Sequence, residues 1–111
     1  MFYHQIIKGS IKFVILSILE SGEMYGYGFI QTVNQKTKGF FEWRESAVYT
    51  TLRKMEQDGL IKSRWKSAGF ARKRKYYHLT SKGRKLLIAN RFEWLNFSKC
   101  MNRLTINTRA S

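Results

Sequence analysis

The residues best suited to chemistry are polar side chains that recur on one face of a predicted helix, which begins at Ser46 and stops at Asp58-Gly59. The opposite face is apolar, because Val48, Leu52 and Met55 recur at i, i+4 and i+7. The polar set combines hydroxyl, guanidinium, ammonium and amide groups: Ser46, Tyr49, Thr50, Arg53, Lys54 and Gln57. Such groups form hydrogen bonds with base edges and phosphates, so the pattern predicts a recognition helix for the major groove of DNA.

Within that helix, we expect Tyr49, Thr50 and Arg53 to face the bases and Ser46 to touch a phosphate. An arginine can pair with guanine through two hydrogen bonds, which discriminates against other bases by about 1–3 kcal/mol. Lys54 lies at the flank of the same face. Ser46 is also the predicted N-cap, since a serine hydroxyl accepts a hydrogen bond from the first helical turn.

A run of four positive charges follows the predicted helix and lies between two predicted strands: Arg72, Lys73, Arg74 and Lys75. From Ile61 to Lys66 the side chains alternate with a period of two, and Tyr76 to Leu79 return as the second strand. We expect the four cations to hold phosphates. Phe70, in the connecting loop, either inserts into a groove or folds back on the hairpin.

A polar helix followed by a basic hairpin is the layout of a winged helix-turn-helix, a mainly α fold with a two-stranded wing. Two helices should precede it, one capped by Ser10 and one running from Met24 to about Thr37. Gly26 would cost about 1 kcal/mol inside a helix, so it indicates a helix start or close packing against another helix. Residues 1–5 are predicted to be a loose or partner-dependent end. Three aromatic residues before the recognition helix are predicted to be core: Phe40, Phe41 and Trp43.

Charge is distributed unevenly along the 111 residues, whose formal net charge is +14. Residues 1–60 carry seven Lys or Arg and six Asp or Glu, whereas residues 61–111 carry fourteen Lys or Arg and only Glu93 as an acid. A positive density of this kind attracts polyanions and gives salt-dependent affinity. A hydrophobic content of 43% predicts a folded domain.

Several classes of site find little support in the sequence. Cys100 is the single cysteine, which rules out an intramolecular disulfide and disfavours a zinc site, and His4 and His78 show no ligand spacing. No paired carboxylates, Ser/His/Asp set or phosphate-binding glycine loop is present, so we predict a protein that is not an enzyme and needs no cofactor or metal. The apolar segment 13–19 is too short to span a bilayer and is read as core, which favours a cytoplasmic protein.

The last predicted helix runs from about Ser81 to Arg103 or beyond and carries a heptad-like stripe. Its members step by three and four: Leu87, Asn90, Trp94, Phe97, Met101 and Leu104. A helix of this length exceeds what a small domain can cover, so we expect homodimerisation through the stripe, although packing on its own domain is the alternative. We therefore divide the chain into a DNA-binding domain, residues 1–80, and a dimerisation helix with a frayed tail, residues 81–111.

Taken together, the chain resembles the PadR-like family of bacterial transcriptional regulators in its short form, over roughly residues 8–104. The resemblance rests on short motifs in a fixed order: Lys8-Gly9-Ser10, Met24-Tyr25-Gly26-Tyr27, Glu45, Val48-Tyr49, Leu52-Arg53, Met55-Glu56, Asp58-Gly59-Leu60-Ile61, Arg74-Lys75-Tyr76-Tyr77, Leu79-Thr80 and Gly83. It implies a winged-helix homodimer that binds double-stranded DNA at a pseudo-palindromic operator, usually as a repressor. It also implies release by a small planar aromatic ligand, which in multidrug-sensing members stacks on a tryptophan at the spacing of Trp94.

Two residues depart from the family pattern. Thr50 stands where the family often has proline, which frees a hydroxyl and an amide, and Gly69-Phe70-Ala71 replaces the usual pair of glycines in the wing. The alternative function is a sequence-tolerant architectural protein that binds DNA or RNA, which the +14 charge would suit. A winged helix that binds only proteins is disfavoured by the basic wing.

Overall fold

A computed structural model describes the backbone of residues 2–70 and 72–106, with side chains from residue 9 onward in those ranges. Its elements are, in chain order, α1 (Phe2–Glu20), β1 (Met24–Tyr25), α2 (Gly26–Thr37), α3 (Glu45–Gln57), β2 (Ile61–Ser67), β3 (Lys73–Leu79) and α4 (Ser81–Thr105). The strands form one antiparallel sheet in the order β1-β3-β2. Three helices, a small sheet and a long C-terminal helix confirm the predicted winged-helix fold.

The core lies where the apolar faces of α1, α2 and α3 meet the sheet. Its least exposed side chains come from five elements: Ile15, Leu16, Phe29, Val48, Leu52, Met55, Ile61 and Leu87. Leu87 belongs to α4, so the last helix begins inside this core and leaves it further along. The predicted apolar face of the third helix and the predicted core role of segment 13–19 are therefore confirmed.

The junction of α3, the wing and α4 is fixed by Thr80 and Gly83. The Thr80 hydroxyl accepts a hydrogen bond from the Gly83 N–H at 3.0 Å and so caps α4. It also lies 2.6 Å from the Gly59 carbonyl oxygen, to which it can donate. A Cβ on Gly83 would collide with the Leu60 carbonyl oxygen, so only glycine fits there. This packing sets the direction in which α4 leaves the domain.

Two predictions about the first half of the chain are wrong. The first helix begins at Phe2 and not at Ser10, so most of the segment predicted to be loose is helical; Met1 lies outside the described residues. Residues 2–8 contain no glycine or proline to stop a helix, and Gly9 alone does not end it. The second helix begins at Gly26, because Met24 and Tyr25 pair with Tyr77 and Tyr76 as a third strand.

Two further boundaries and the burial of one aromatic residue also differ from prediction. The third helix begins at Glu45 with Arg44 as its N-cap residue, which places Ser46 inside the first turn. The second wing strand begins at Lys73 rather than Tyr76, so the run of cations lies mostly within a strand. Of the predicted aromatic core, Trp43 is buried but Phe40 is 67% exposed. The last helix runs to Thr105, as predicted to within two residues, and residues 107–111 of the predicted tail lie outside the described ranges.

Candidate nucleic-acid interface

The outer face of α3 presents all the polar side chains that the sequence assigns to it. These residues are exposed: Ser46, Tyr49, Thr50, Arg53, Lys54 and Gln57. The inner face is closed, with Val48 and Leu52 at 0% and Met55 at 1% exposure. The helix is therefore held rigidly by its apolar side while its hydrogen-bonding groups stay free to meet a partner.

Tyr49 is the one member of this face that another element holds in place. A Cβ on Gly26 would meet the Tyr49 ring, with its Cζ and hydroxyl oxygen at 2.6 Å, so the ring lies directly on the backbone at the start of α2. Both explanations offered for Gly26, a helix start and close packing, are confirmed. Tyr49 remains 39% exposed, so part of its side chain stays accessible beside Arg53.

A cleft of about 470 Å³ separates α3 from the wing. It is lined by basic and aromatic side chains with a single acid: Tyr25, Tyr49, Arg53, Glu56, Trp65, Lys73, Arg74, Lys75 and Tyr77, together with Gly26. Two of the residues predicted to face bases thus share one concave surface with three of the predicted phosphate-binding cations. Neither the cleft nor the part played by Trp65 in its lining was predicted from the sequence.

Glu56 connects α3 to both strands of the wing. Its Oε2 accepts a hydrogen bond from the Ser63 hydroxyl at 2.6 Å, and its Oε1 lies 3.8 Å from the Lys75 Nζ. Burial, and then the negative charge of Glu56, raises the pKa of Tyr77 above its usual value. Part of the charge of Lys75 is thus balanced within the protein, and these contacts join the wing to α3.

The far face of the wing carries a second acid, Glu23, which precedes β1. Its Oε1 accepts hydrogen bonds from Lys66 at 2.7 Å and Arg64 at 3.1 Å, and these bonds hold the pKa of the Glu23 carboxyl below its usual range. Arg74 contacts the adjoining strand β1, with its guanidinium 4.3 Å from the centre of the Tyr25 ring. Because side chains alternate along a strand, neighbouring cations of the wing meet different partners.

The four wing cations therefore differ in how much of their charge is available. Lys75 pairs with Glu56 and Arg74 stacks on Tyr25. Arg72 and Lys73 are exposed and form no ion pair within the part of the chain that the structure describes. A phosphate would meet these two without displacing an acid.

The C-terminal half of α4 presents a second surface, and this one is apolar. Leu87 is fully buried in the core of its own chain, which removes it from the residues able to contact a partner. Four others of the predicted stripe lie along the helix: Trp94 and Phe97 are 47% and 56% exposed, Leu104 is 75% exposed, and Met101 is partly buried. Asn90, the polar member, is also partly buried.

Trp94 lies in a groove of about 350 Å³ between α1 and α4. Its ring centre is 6.3 Å from that of Phe13 and 6.1 Å from that of Phe97. Gly9, Asn90 and Glu93 complete the lining. Further towards the core, the Arg91 guanidinium lies 3.0 Å from Glu20 and fastens α4 to the end of α1.

The stripe predicted from the sequence misses a second exposed apolar set on α4. Ile88, Phe92 and Leu95 are 62%, 68% and 55% exposed and step by four and three. The same spacing rule could have found them, because it applies to any face of a helix. Their presence means that α4 exposes apolar side chains on two sides of the strip that packs against α1.

The described residues offer neither a metal site nor a membrane span. No group of three or more His, Cys, Asp or Glu side chains is placed to hold a metal ion in the ranges 9–70 and 72–106. Among the same described residues, no helix has the length and apolar character needed to cross a membrane.

Similar proteins have known folds. A solved transcriptional regulator from Clostridium thermocellum has a TM-score of 0.83 and 29% sequence identity, over 91% of this chain and 95% of that chain. A PadR family transcription regulator from Clostridium difficile has a TM-score of 0.74 and 33% identity, over 86% of this chain and 97% of that chain. Each therefore matches nearly its whole length to this chain.

A longer relative has been solved with DNA. The negative transcriptional regulator PadR of Bacillus subtilis is 29% identical over 85 residues, which are 77% of this chain and 44% of that protein. The structure of Bacillus subtilis PadR in complex with operator DNA has a TM-score of 0.64 and 30% identity, over 76% of this chain and 45% of that chain. The present chain thus spans less than half of that protein. The transcriptional regulator PadR-like family model matches residues 15–89, and the chain belongs to this family.

Proposed function

We propose that this protein binds operator DNA as a homodimer and represses transcription. The observation that carries the proposal is the shared cleft, in which Tyr49 and Arg53 of α3 face the cations of the wing. The relative from Bacillus subtilis supports it, because that protein is a negative regulator and was solved with operator DNA. In this arrangement α3 enters the major groove and the wing follows the phosphates or the adjacent minor groove.

The side chains of α3 divide into readers of bases and holders of phosphates. Arg53 pairs with guanine through its two-pronged guanidinium, and it is exposed and forms no ion pair among the described residues. Tyr49 and Thr50 contact base edges beside it. Ser46 and Lys54 contact DNA phosphates on either side of these bases. Tyr49 carries this role in a fixed position, since its ring rests on Gly26.

The wing cations supply affinity rather than sequence preference. Arg72 and Lys73 contact phosphates directly, whereas Arg74 and Lys75 do so from positions set by Tyr25 and Glu56. Contacts of this kind release counterions and make binding fall as the salt concentration rises. Residues 1–80 thus carry the DNA-binding function, and residues 81–111 carry assembly.

The dimer forms through α4. A helix of 25 residues is about 37 Å long, and only its first turns reach the core of its own chain. The seam contains the exposed part of the predicted stripe, with Asn90 as its polar member: Asn90, Trp94, Phe97, Met101 and Leu104. Two chains joined in this way place two copies of α3 on half-sites related by two-fold symmetry, which is why the operator is pseudo-palindromic.

A small planar aromatic ligand binds at Trp94 and releases the DNA. The groove supports this, because Phe13 and Phe97 offer further aromatic surface on either side of the indole. A planar dye should quench the fluorescence of the wild-type protein, and Trp94→Ala should abolish dye binding. Trp65→Ala is the matched control, since Trp65 lies in the other cleft and its loss should leave dye binding intact. If the Trp94→Ala variant still bound the dye, the ligand site would not be in this groove.

The function itself is tested by a binding titration with DNA from upstream of the gene, against random duplex as competitor, at two salt concentrations. A site-specific regulator should prefer one fragment by about a thousandfold or more. The second candidate, an architectural protein that tolerates any sequence, is favoured by the +14 charge. Similar affinity for every duplex, falling steeply with salt, would establish that candidate and overturn the proposal.

A further inference from the structure

The tip of the β2–β3 hairpin presents one aromatic side chain that nothing covers. Phe70 is 100% exposed, and its φ of 45° lies in the left-handed region that side-chain-bearing residues rarely adopt. Two backbone hydrogen bonds hold the turn: the Ala68 N–H donates to the Arg72 carbonyl, and the Arg72 N–H to the Gly69 carbonyl, each at 2.8 Å. The ring is therefore held outward, and it does not fold back on the hairpin.

Several exposed aromatic side chains rest on neighbouring rings, unlike Phe70. Phe40 contacts Phe41, with ring centres 5.8 Å apart, and Trp94 contacts Phe13 and Phe97. Among the described residues, no other large apolar side chain is more than 75% exposed. An apolar ring kept in water by a hydrogen-bonded turn indicates that its partner lies outside this chain.

The charges around the tip select the chemistry of that partner. Residues 59–92 contain no Asp or Glu, and Arg72 and Lys73 next to the tip have no acidic partner among the described residues. An apolar protein surface would bury these charges without compensation, which is costly. Duplex DNA fits both features, because its phosphates meet the cations while its stacked bases offer an apolar slot between them.

Building on the proposed function, we propose that Phe70 is a wedge that enters the minor groove beside the site of α3 and partly unstacks one base step. Arg72 and Lys73 grip the phosphates on either side. Apolar wedges of this kind open the step and bend the duplex by about 20–90°. Pyrimidine–purine steps unstack most readily, so Phe70 adds a sequence preference at a position that α3 does not touch.

The test uses the full chain and a set of duplexes that contain its preferred site. In each duplex, 2-aminopurine replaces a base at one of the base steps that flank the α3 contact. Binding of the wild-type protein should raise 2-aminopurine fluorescence at one step, and a stiff A-tract at that step should weaken binding by about tenfold. Phe70→Ala should lose both effects while its salt dependence stays unchanged. Phe70→Leu should restore part of the fluorescence, because leucine can also act as a wedge.

Arg72→Gln is the matched control at the neighbouring site. It should weaken binding to every duplex and lower the salt slope by about one, while the 2-aminopurine signal remains. Comparing the two variants therefore distinguishes the loss of a phosphate contact from the loss of ring insertion between bases. Because Phe70 contacts no core residue, Phe70→Ala should also keep the thermal stability of the wild-type protein.

Three results would overturn the wedge. An unchanged fluorescence signal and step preference in Phe70→Ala would do so while the proposed function stands. A wild-type protein that prefers no duplex would fail the proposed function, and the wedge would fall with it. Vesicles of phosphatidylserine form the third arm: binding to them that depends on Phe70, without any 2-aminopurine response on DNA, would assign the tip to a membrane surface.

Discussion

Helices α3 and α4 follow the same periodic pattern but expose opposite faces. In α3 the apolar face is closed by the rest of the chain, with Val48 and Leu52 at 0% exposure, and the polar face meets solvent. In α4 only the start is closed, and beyond Leu87 the apolar side chains meet solvent. The periodic pattern predicts where each helix lies in the sequence. Which face of the helix is left for a partner depends on the elements that pack against it.

The difference follows from size. The described chain measures 62 × 30 × 21 Å, so its longest dimension is at least twice either of the others. α4 is about 37 Å long and cannot lie wholly on a core of this thickness. The exposed surface of α3 is polar and basic and suits a polyanion, whereas that of α4 is apolar and suits another apolar surface. The following substitutions test this contrast.

The largest effect on folding should come from the covered face of α3. Leu52→Ala removes a side chain that is fully buried and should lower the free energy of unfolding by about 2–5 kcal/mol. Phe92→Ala on α4 removes a larger but 68% exposed side chain and should change the stability of the single chain by less than about 1 kcal/mol. Urea unfolding at low protein concentration measures both. Equal losses would mean that α4 is covered by its own chain.

Dimer formation, unlike the stability of the single chain, should depend on the exposed apolar side chains of α4. Phe97→Glu places a charge in the proposed seam and should raise the dissociation constant of the dimer by about a hundredfold. Asn96→Glu is the matched control, because residue 96 is exposed and lies outside both apolar sets of α4. Sedimentation of the two variants over a range of concentrations gives the constants. A dimer that tolerates Phe97→Glu but not the control would place the seam on another face.

Substitutions at two glycines, Gly83 and Gly26, should separate an effect on stability from an effect on DNA binding. A Cβ on Gly83 would meet the Leu60 carbonyl oxygen, which is backbone and cannot move aside, so Gly83→Ala should cost about 1–3 kcal/mol of stability. A Cβ on Gly26 would meet only the Tyr49 ring, which can rotate away. Gly26→Ala should therefore leave the melting temperature nearly unchanged and weaken operator binding by about tenfold, as expected for one lost contact of about 1.4 kcal/mol. Unchanged operator affinity would show that Tyr49 does not act from this position.

The smallest effect concerns pH. Hydrogen bonds from Lys66 and Arg64 hold the pKa of the Glu23 carboxyl below the usual glutamate value of 4.5. The stability that they add is therefore present above pH 4.5 and is lost as the pH falls through the lower pKa of the folded protein. Glu23→Gln should remove that part of the acid sensitivity and flatten the curve of stability against pH below 4.5. Urea midpoints measured across this range give the curve. A Glu23→Gln protein as acid-sensitive as the wild type would mean that these ion pairs add nothing to folding.

Long periodic elements were predictable, and short or crowded ones were not. The faces of α3 and the extent of α4 follow from repeats that run over several turns, and glycine at position 59 marks the stop of α3. Strand β1 has two residues, which is too short for any period to show. The early start of α1 was missed because Gly9 and Ser10 look like a boundary although the helix continues through them.

The composition of the interface was predictable, but its internal pairing was not. The exposed residues of α3 and the basic wing could be read from the sequence. That Glu56 ties Lys75 and that Arg74 stacks on Tyr25 depends on where β3 begins and on contacts between distant segments. The exposed set of Ile88, Phe92 and Leu95 follows the same helical spacing and was open to prediction.

The most direct test of the account compares how two variants discriminate between the preferred duplex and a random one. Arg53→Ala should reduce the ratio of the two affinities by about tenfold to a hundredfold, because a lost guanine pair is worth about 1–3 kcal/mol. A variant with alanine at both Arg72 and Lys73 should keep that ratio while its salt slope falls by about two. If Arg53→Ala instead weakened binding to both duplexes equally, Arg53 would be a phosphate contact, and the assignment of α3 as the reader of sequence would be contradicted.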